Sequence, residues 1–381
     1  MGKRKRKNKD FFLATAEEFR GKCTPPCEYF GKCGGCVLQD VEYSDQLEIK
    51  KKYLNNLFEG ILTVDAVQPG NMYNYRNRMD FVTAFGKSGL RERGNFKNVV
   101  DISKCHLMQN RAAEFWVKLK EYLNDIEFYD YLKHEGFLRY CVLRQAAFTE
   151  ELMCSFVVKK NENLPDKLIS FAADNCDTVC TLLSDGLADL SFGPVIETYK
   201  GGYITEKFGD IKYQISPNSF FQSNSPVAIQ MYEKIRSHVY GRVMDLYSGV
   251  GSISLYAASA ADTVTGVEIV EDAVKSAKHN AEINNIKNAE FVCADARKFM
   301  KENEKKFDTL ILDPPRCGIH PKMIASIDFF APEKIIYMSC NPATFKDDVV
   351  NMEKYAIESF EAFDMFPQTP HIETLAVLKR K

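Results

Sequence analysis

Between residues 44 and 58 apolar side chains return every three to four positions, with Leu47, Tyr53, Leu54 and Leu57 on one face, and the spacing predicts a helix. Upstream, Pro25, Pro26 and four glycines between Gly21 and Gly35 argue against a long helix or strand and favour a compact loop. Short strand-like runs at 79–85, 141–148, 152–158 and 178–183, with a helical pattern at 110–123, predict a central α+β domain. The pattern changes near Gly201-Gly202 and Gly209. A helix over 227–239 then leads into strands at 242–246, 264–268, 289–293, 309–312, 335–339 and 374–378, spaced by helical stretches. That alternation predicts an α/β domain with a doubly wound sheet, whose ligands gather at the strand C-terminal ends. The expected division is a basic arm at 1–20, a cysteine-rich segment at 21–55, the central α+β domain at 56–205 and the α/β domain at 206–381.

With 381 residues, 45% of them apolar, the chain can bury two or three cores. A net charge of −2 gives no global basic field, although Lys3-Arg4-Lys5-Arg6-Lys7 and Lys9 form a local one. That arm reads as a solvated tail or as a contact for phosphates. No secretory apolar region follows it and no 18-residue apolar run occurs later, so a cytoplasmic protein without membrane or obligate protein partner is expected. In that compartment the twelve cysteines act as thiols or ligands instead of disulfides. Cys27-x5-Cys33-x2-Cys36 has the look of part of a metal or iron-sulfur site.

The C-terminal domain carries the candidate chemistry. Asp245-Leu246-Tyr247-Ser248-Gly249-Val250-Gly251 follows an apolar strand and precedes a helix starting at Ser252, so Gly249 and Gly251 allow a tight turn and close ligand approach. Glu268 ends the next strand, suitably placed for ribose hydroxyls, and Asp295 follows the strand after, where it can read an adenine amino group. The full G-x-G-x-x-G fingerprint and a Walker A sequence are both missing, which favours S-adenosylmethionine over dinucleotides or nucleoside triphosphates. Cys340, before Asn341-Pro342, is a strand-end thiol; Glu373 precedes the last strand and can converge on the same edge. A thiolate adding to C6 of uracil makes C5 a carbon nucleophile, and a carboxylate can then take the C5 proton. Asp313, in Asp313-Pro314-Pro315-Arg316, can hold the ring's N–H edge. Arg316 can pair with a carboxylate or phosphate, and Cys317 is a rival thiol.

These segments, together with Ser216-Pro217-Asn218-Ser219-Phe220-Phe221-Gln222, Ser339-Cys340-Asn341-Pro342 and His371-Ile372-Glu373-Thr374, closely resemble the S-adenosylmethionine-dependent RNA (uracil-C5)-methyltransferases, nearly throughout the chain from Cys27 onward. The resemblance implies a Rossmann-like class I methyltransferase domain behind an N-terminal iron-sulfur segment and a central α+β domain. It implies Cys340 as nucleophile and Glu373 as base, with Gln222, Tyr247, Ser252, Glu268, Asp295 and Asp313 forming the cofactor and uracil pocket. Phe220 would lie near an extruded base, and Arg76 and Arg78 near phosphates. Cys27, Cys33, Cys36 and Cys105 match the ligands of a [4Fe-4S] cluster, with zinc as the alternative outside the family.

The chain departs from the family pattern at Tyr247-Ser248, where a Phe-Cys pair is common, and at Cys317, often a small residue. Only about twenty residues precede the cysteine cluster, too few for the β-barrel RNA-binding module many members carry. With its cysteine pattern, that short N-terminus resembles the compact bacterial enzymes that methylate 23S rRNA at uridine 747. The expected partner is therefore a 23S rRNA hairpin uridine; the alternatives are another 23S uridine, the tRNA T loop, or a non-catalytic iron-sulfur RNA-binding protein.

Overall fold

Helix α1 (Gly2–Glu17) and helix α2 (Tyr43–Leu57) pack together in the computed structural model, which describes residues 2–303 and 305–381. The side chains of residues 2–7, Lys9 and Phe96 lie outside the description, and with them the basic side chains expected to meet phosphate. The expected arm is thus helical through Glu17, because Phe12 and Ala16 bury against Leu38, Val41 and Ile49. The buried stripe of α2 runs Gln46, Ile49, Lys50, Leu54, Leu57. Its helical period agrees with the sequence, yet two polar residues sit in it.

Strand β1 (Val67–Gln68) leads into a seven-stranded sheet made of β2 (Arg78–Ala84), β3 (Lys87–Glu92), β4 (Asn95–Asp101), β5 (Leu138–Gln145), β6 (Leu152–Val158), β7 (Thr178–Leu183) and β8 (Val195–Lys200). Its order is β4-β3-β2-β5-β6-β7-β8, antiparallel except for β6 beside β7. Helices α3 (Asn110–Leu119) and α4 (Asp166–Asn175) cover one face, where Trp116 stacks on Phe81 with centroids 3.7 Å apart. A hairpin, β9 (Ile204–Phe208) and β10 (Ile211–Ile215), then hands the chain to the C-terminal domain.

There β11 (Arg242–Leu246), β12 (Thr263–Glu268), β13 (Ala289–Cys293), β14 (Thr309–Leu312), β15 (Lys334–Ser339), β16 (Tyr355–Phe363) and β17 (Glu373–Arg380) join β1 in the order β1-β16-β17-β15-β14-β11-β12-β13. The core strands are parallel, while β17 runs antiparallel between β15 and β16. Side chains alternate between the two faces, as the two-residue period requires. Val243, Ile311 and Ile336 meet α5 (Ser225–His238), α6 (Ser252–Ala257) and α7 (Glu271–Ile283). Met244, Leu310 and Tyr337 meet α8 (Ala296–Glu302), α9 (Pro321–Phe330), α10 (Pro342–Val350) and the end of α2. Strand order reverses between β11 and β14, the switch point where such sheets open a crevice. No helix among the described residues is long and apolar enough to cross a membrane.

The loop at 364–372, between β16 and β17, is gripped from several sides. Lys50 Nζ reaches Asp364 Oδ1 at 2.5 Å, both side chains fully buried, and Gln46 exchanges two hydrogen bonds with Gln368. Tyr75 donates to the Pro367 carbonyl and Asn224 to that of Met365. Breaking a buried ion pair from one side strands the other charge, so Lys50→Met should cost about 3–5 kcal/mol in chemical denaturation, and adding Asp364→Leu should recover most of it. Equal losses in the single and double variants would show that the pair does not hold the loop.

Candidate active site

The turn after β11 depends on three left-handed residues, Tyr247 (φ 68°), Gly249 (φ 53°) and Gly251 (φ 77°). The two glycines serve different ends. A Cβ on Gly251 would lie 2.7 Å from the Phe291 ring, so this glycine permits the helix to pack on the sheet. A Cβ on Gly249 would meet open space, on the side where the cavity lies. The Gly249 N–H donates to Glu268 Oε2 at 3.0 Å, while Glu268 Oε1 accepts from the N–H groups of Ile269 and Val270. Three main-chain donors thus fix this carboxylate at the end of β12.

Tyr247, Gly249, Ser252 and Glu268 line one end of a cavity of about 650 Å³ at the switch point; Gln222, Phe220, Asp313, Arg316, Cys340 and Glu373 line the other. Asp295 does not line it. Its carboxylate caps α8, accepting from the N–H groups of Arg297 and Lys298. The cavity suits a small polar ligand, because Ser248 Oγ, which lines it, is buried without a hydrogen-bond partner among the described residues. An adenosyl group with its amino-acid tail fits both the size and this polar demand.

Cys340 and Glu373 meet because β15 and β17 pair antiparallel with Ser339 opposite Thr374. The next position outward on each strand is Cys340 on one and Glu373 on the other. Burial, then the charges of Glu373 and Asp313, pushes the Cys340 thiol up to about 11. Glu373 rises well above the carboxylate range through burial and Asp313, and Asp313 rises to about 7 through burial and Asp245. These shifts favour the thiol form of Cys340 and the protonated form of Glu373. Arg316 opposes this trend at both residues. Its backbone carbonyl accepts from Asn341 Nδ2 at 2.9 Å, and its guanidinium lies 3.4 Å from Nδ1 of His371, whose pKa burial and Arg316 hold down at about 4. The Asn341 bond is why the two proline-containing motifs act as one unit. Cys317 is exposed, with its thiol on the Gly318 carbonyl, and does not line the cavity.

A family profile described as tRNA (Uracil-5-)-methyltransferase matches residues 201–381. The tRNA (uracil(54)-C(5))-methyltransferase of Pyrococcus furiosus is 38% identical over 93% of this chain and 85% of its own length, and that of Pyrococcus abyssi is 40% identical over the same shares. The chain belongs to the RNA (uracil-C5)-methyltransferase family. It is an S-adenosylmethionine-dependent RNA (uracil-C5)-methyltransferase. The crystal structure of the Pyrococcus abyssi tRNA (uracil-54, C5)-methyltransferase in complex with S-adenosyl-L-homocysteine superposes with a TM-score of 0.81, at 38% identity, over 90% of this chain and 85% of that one.

Two expectations are corrected. The 23S rRNA assignment, with its uridine-747 likeness, gives way to relatives of this similarity named for tRNA. The rRNA expectation rests on the cysteine pattern and the short N-terminus together, and neither touches the cavity where the base would fit. The [4Fe-4S] cluster on Cys27, Cys33, Cys36 and Cys105, and its zinc alternative, give way too: among the described residues no group of three or more His, Cys, Asp or Glu is placed to hold a metal ion. These four cysteines line a small cavity with Phe30, Met79, Leu90, Ile102 and Leu107, and burial raises every thiol, Cys36 to about 12 and Cys105 to about 11. Main-chain bonds hold the segment instead, from Gly34 N–H to the Arg91 carbonyl and from Arg93 N–H to that of Lys32.

Asp245 and Asp313 both rise to about 7, so the folded protein binds protons more tightly there than the unfolded chain does. Their contribution to stability is complete below the unfolded value of about 4 and is lost as pH rises through 7. Denaturation of the ligand-free protein should therefore show declining stability from pH 5 to pH 8, and Asp313→Asn should flatten the decline. An unchanged slope in the variant would refute the assigned burial effect.

Proposed function

We propose that this methyltransferase modifies C5 of a tRNA uridine of the T-loop position-54 type, with Cys340 as nucleophile and Glu373 as base. The observation that carries the substrate is the likeness to the Pyrococcus abyssi tRNA enzyme over 90% of the chain, which takes in the central domain as well as the methyltransferase domain. In this reading residues 206–381 perform methyl transfer, residues 21–205 help position RNA, and the protein works in the cytoplasm.

S-adenosylmethionine supplies an electrophilic methyl group on a cationic sulfonium, whose charge opposes the carboxylates that raise Cys340. Phe220, exposed at the cavity mouth, offers a ring against which a flipped uracil can stack. The Asp313 carboxyl, with Gln222 Nε2 at 3.4 Å, presents both an acceptor and a donor to the polar edge of the ring. As the substrates bind, the Cys340 thiol and the Glu373 carboxyl release their protons to water; Cys340 Sγ, as thiolate, bonds to C6, and the C5=C6 electron pair moves onto C5 as an enolate that takes the methyl group as its bond to the sulfonium sulfur breaks and leaves S-adenosylhomocysteine. Glu373, ionised by then, removes the C5 proton; the C–H electrons restore C5=C6 and expel the Cys340 thiolate. The raised values of the free site fit this order, since neither group needs to be charged before the substrates arrive.

Methyl transfer to tRNA transcripts and to 23S rRNA fragments, followed by intact-mass analysis, tests the reading. The T-loop uridine should be the main acceptor and its replacement by cytidine should remove the signal. Cys340→Ala should lower turnover at least ~1,000-fold and form no covalent adduct. Glu373→Gln should accumulate a methylated protein–RNA adduct that releases slowly. Transfer confined to rRNA would overturn the substrate, and normal turnover by Cys340→Ala the nucleophile.

A further inference from the structure

A second concavity, of about 1090 Å³, adjoins the active-site cavity and shares Phe220, Ser223, Arg316 and Phe366 with it. Seven arginines line it, Arg20, Arg76, Arg78, Arg91, Arg93, Arg144 and Arg316, against two acids, Asp80 and Glu92. For a chain whose net charge is −2 this is a strong local excess of one sign. The arginines come from the cysteine-rich segment's border, from β2, β3 and β5, and from the turn after β14. Folding alone gathers them.

Their pairing leaves much of that charge unneutralised. Arg78 is held by Asp80 and Arg91 by Asp189. Among the described residues the Arg93 guanidinium donates only to the Cys36 carbonyl, and Arg76 uses its Nε on the Arg78 carbonyl, which leaves the Arg76 fork nitrogens without a hydrogen bond there, while Arg20 is held by Asp40 and Glu17. Arg144 is buried, with its guanidinium on the Ser219 and Ser216 carbonyls and no carboxylate in ion-pair contact among the described residues. Those carbonyls belong to the segment that presents Phe220, a ring 69% exposed on the boundary between groove and cavity. Asp80 supplies charge near Arg144, whereas the Arg76 and Arg93 guanidinium groups have no carboxylate in ion-pair contact among the described residues, and such forks along a groove match phosphates spaced along a strand.

We infer that this arginine groove is the track for the RNA strand flanking the target uridine, with Arg76, Arg93 and Arg144 meeting successive backbone phosphates while the uridine turns past Phe220 into the methyl-transfer cavity. The inference rests on the RNA reading of the adjacent site and adds the path by which the substrate reaches it. Phosphate contacts position a strand without reading its sequence, so the groove sets affinity and register. Choice among uridines is left to the cavity.

The test is direct binding of full-length tRNA to the intact chain across a salt series, by fluorescence anisotropy, beside steady-state methylation. Arg76→Ala and Arg93→Ala should each weaken binding about five- to tenfold at moderate salt and lower the slope of log Kd against log salt by about one. KM for tRNA should rise in step, kcat at saturating RNA should hold, and Arg76→Lys should keep much of the affinity. S-adenosylmethionine binding by calorimetry reports whether each variant is folded; should Arg76→Ala fail there, the exposed Arg93 supplies the same measurement. Wild-type affinity and salt slope in a folded double variant would overturn the groove. Because binding is read without methyl transfer, that result stands apart from a failure of the functional reading, which would show as tRNA binding with no methylated product.

Discussion

The buried contact between Lys50 and Asp364 ties the N-terminal helices to the loop that delivers Glu373. Burial alone would drive the Lys50 ammonium toward its neutral form, and Asp364 opposes that loss. Neither charge is tolerable alone in such a place, so the geometry is close to all-or-none. Around this pair, the Gln46 and Gln368 amides and the Tyr75 and Asn224 side chains bond to a loop that carries no regular structure. A loop held so firmly can set a catalytic carboxyl against a strand-end thiol with little freedom to drift.

That thiol sits in an environment hostile to its reactive form. Burial raises it, with the buried Glu373 and the half-buried Asp313 adding to the rise, and the Arg316 guanidinium opposes them. Burial, with the neighbouring carboxyls adding to it, disfavours a thiolate in the free protein and limits adventitious alkylation or oxidation, since the thiolate is the reactive species. The same carboxyls favour a cationic methyl donor. Preference for the donor and restraint of the nucleophile thus arise from one set of charges.

The alternating part of the C-terminal domain was legible because its strands are apolar, short and separated by helices of ordinary length. Residues 242–246, 289–293 and 309–312 lie where the pattern put them, and Cys340 and Glu373 converge as their strand-end positions implied. Hairpin β3 and β4 was not legible, because Lys87, Arg91, Lys97 and Asn98 break any alternation in an edge pair whose partners are set by tertiary contacts. Strand β16 escaped for a similar reason: Glu358 and Glu361 interrupt its apolar run. The buried roles of Lys50 and Gln46 were not legible, since nothing local announces a partner more than three hundred positions away. Cysteine spacing pointed to a metal, whereas the structure surrounds those thiols with apolar side chains.

The cysteine-rich segment nevertheless has a position that explains why its fold is constrained. Residues 32–34 pair with the β3 and β4 hairpin, whose Arg91 and Arg93 wall the arginine groove. A few residues on, the N–H groups of Val37 and Leu38 both donate to the Gln368 carbonyl, five positions before Glu373. Groove wall and catalytic loop are therefore fastened to opposite ends of one short turn-rich segment, and neither can shift without straining the other's hydrogen bonds. Glycine at 34 belongs to the same constraint, because a Cβ there would stand 3.2 Å from the Arg91 carbonyl oxygen. For an enzyme that must hold a flexible strand while a thiol attacks one of its bases, a rigid link between the holding surface and the attacking site fixes the distance over which the base has to turn.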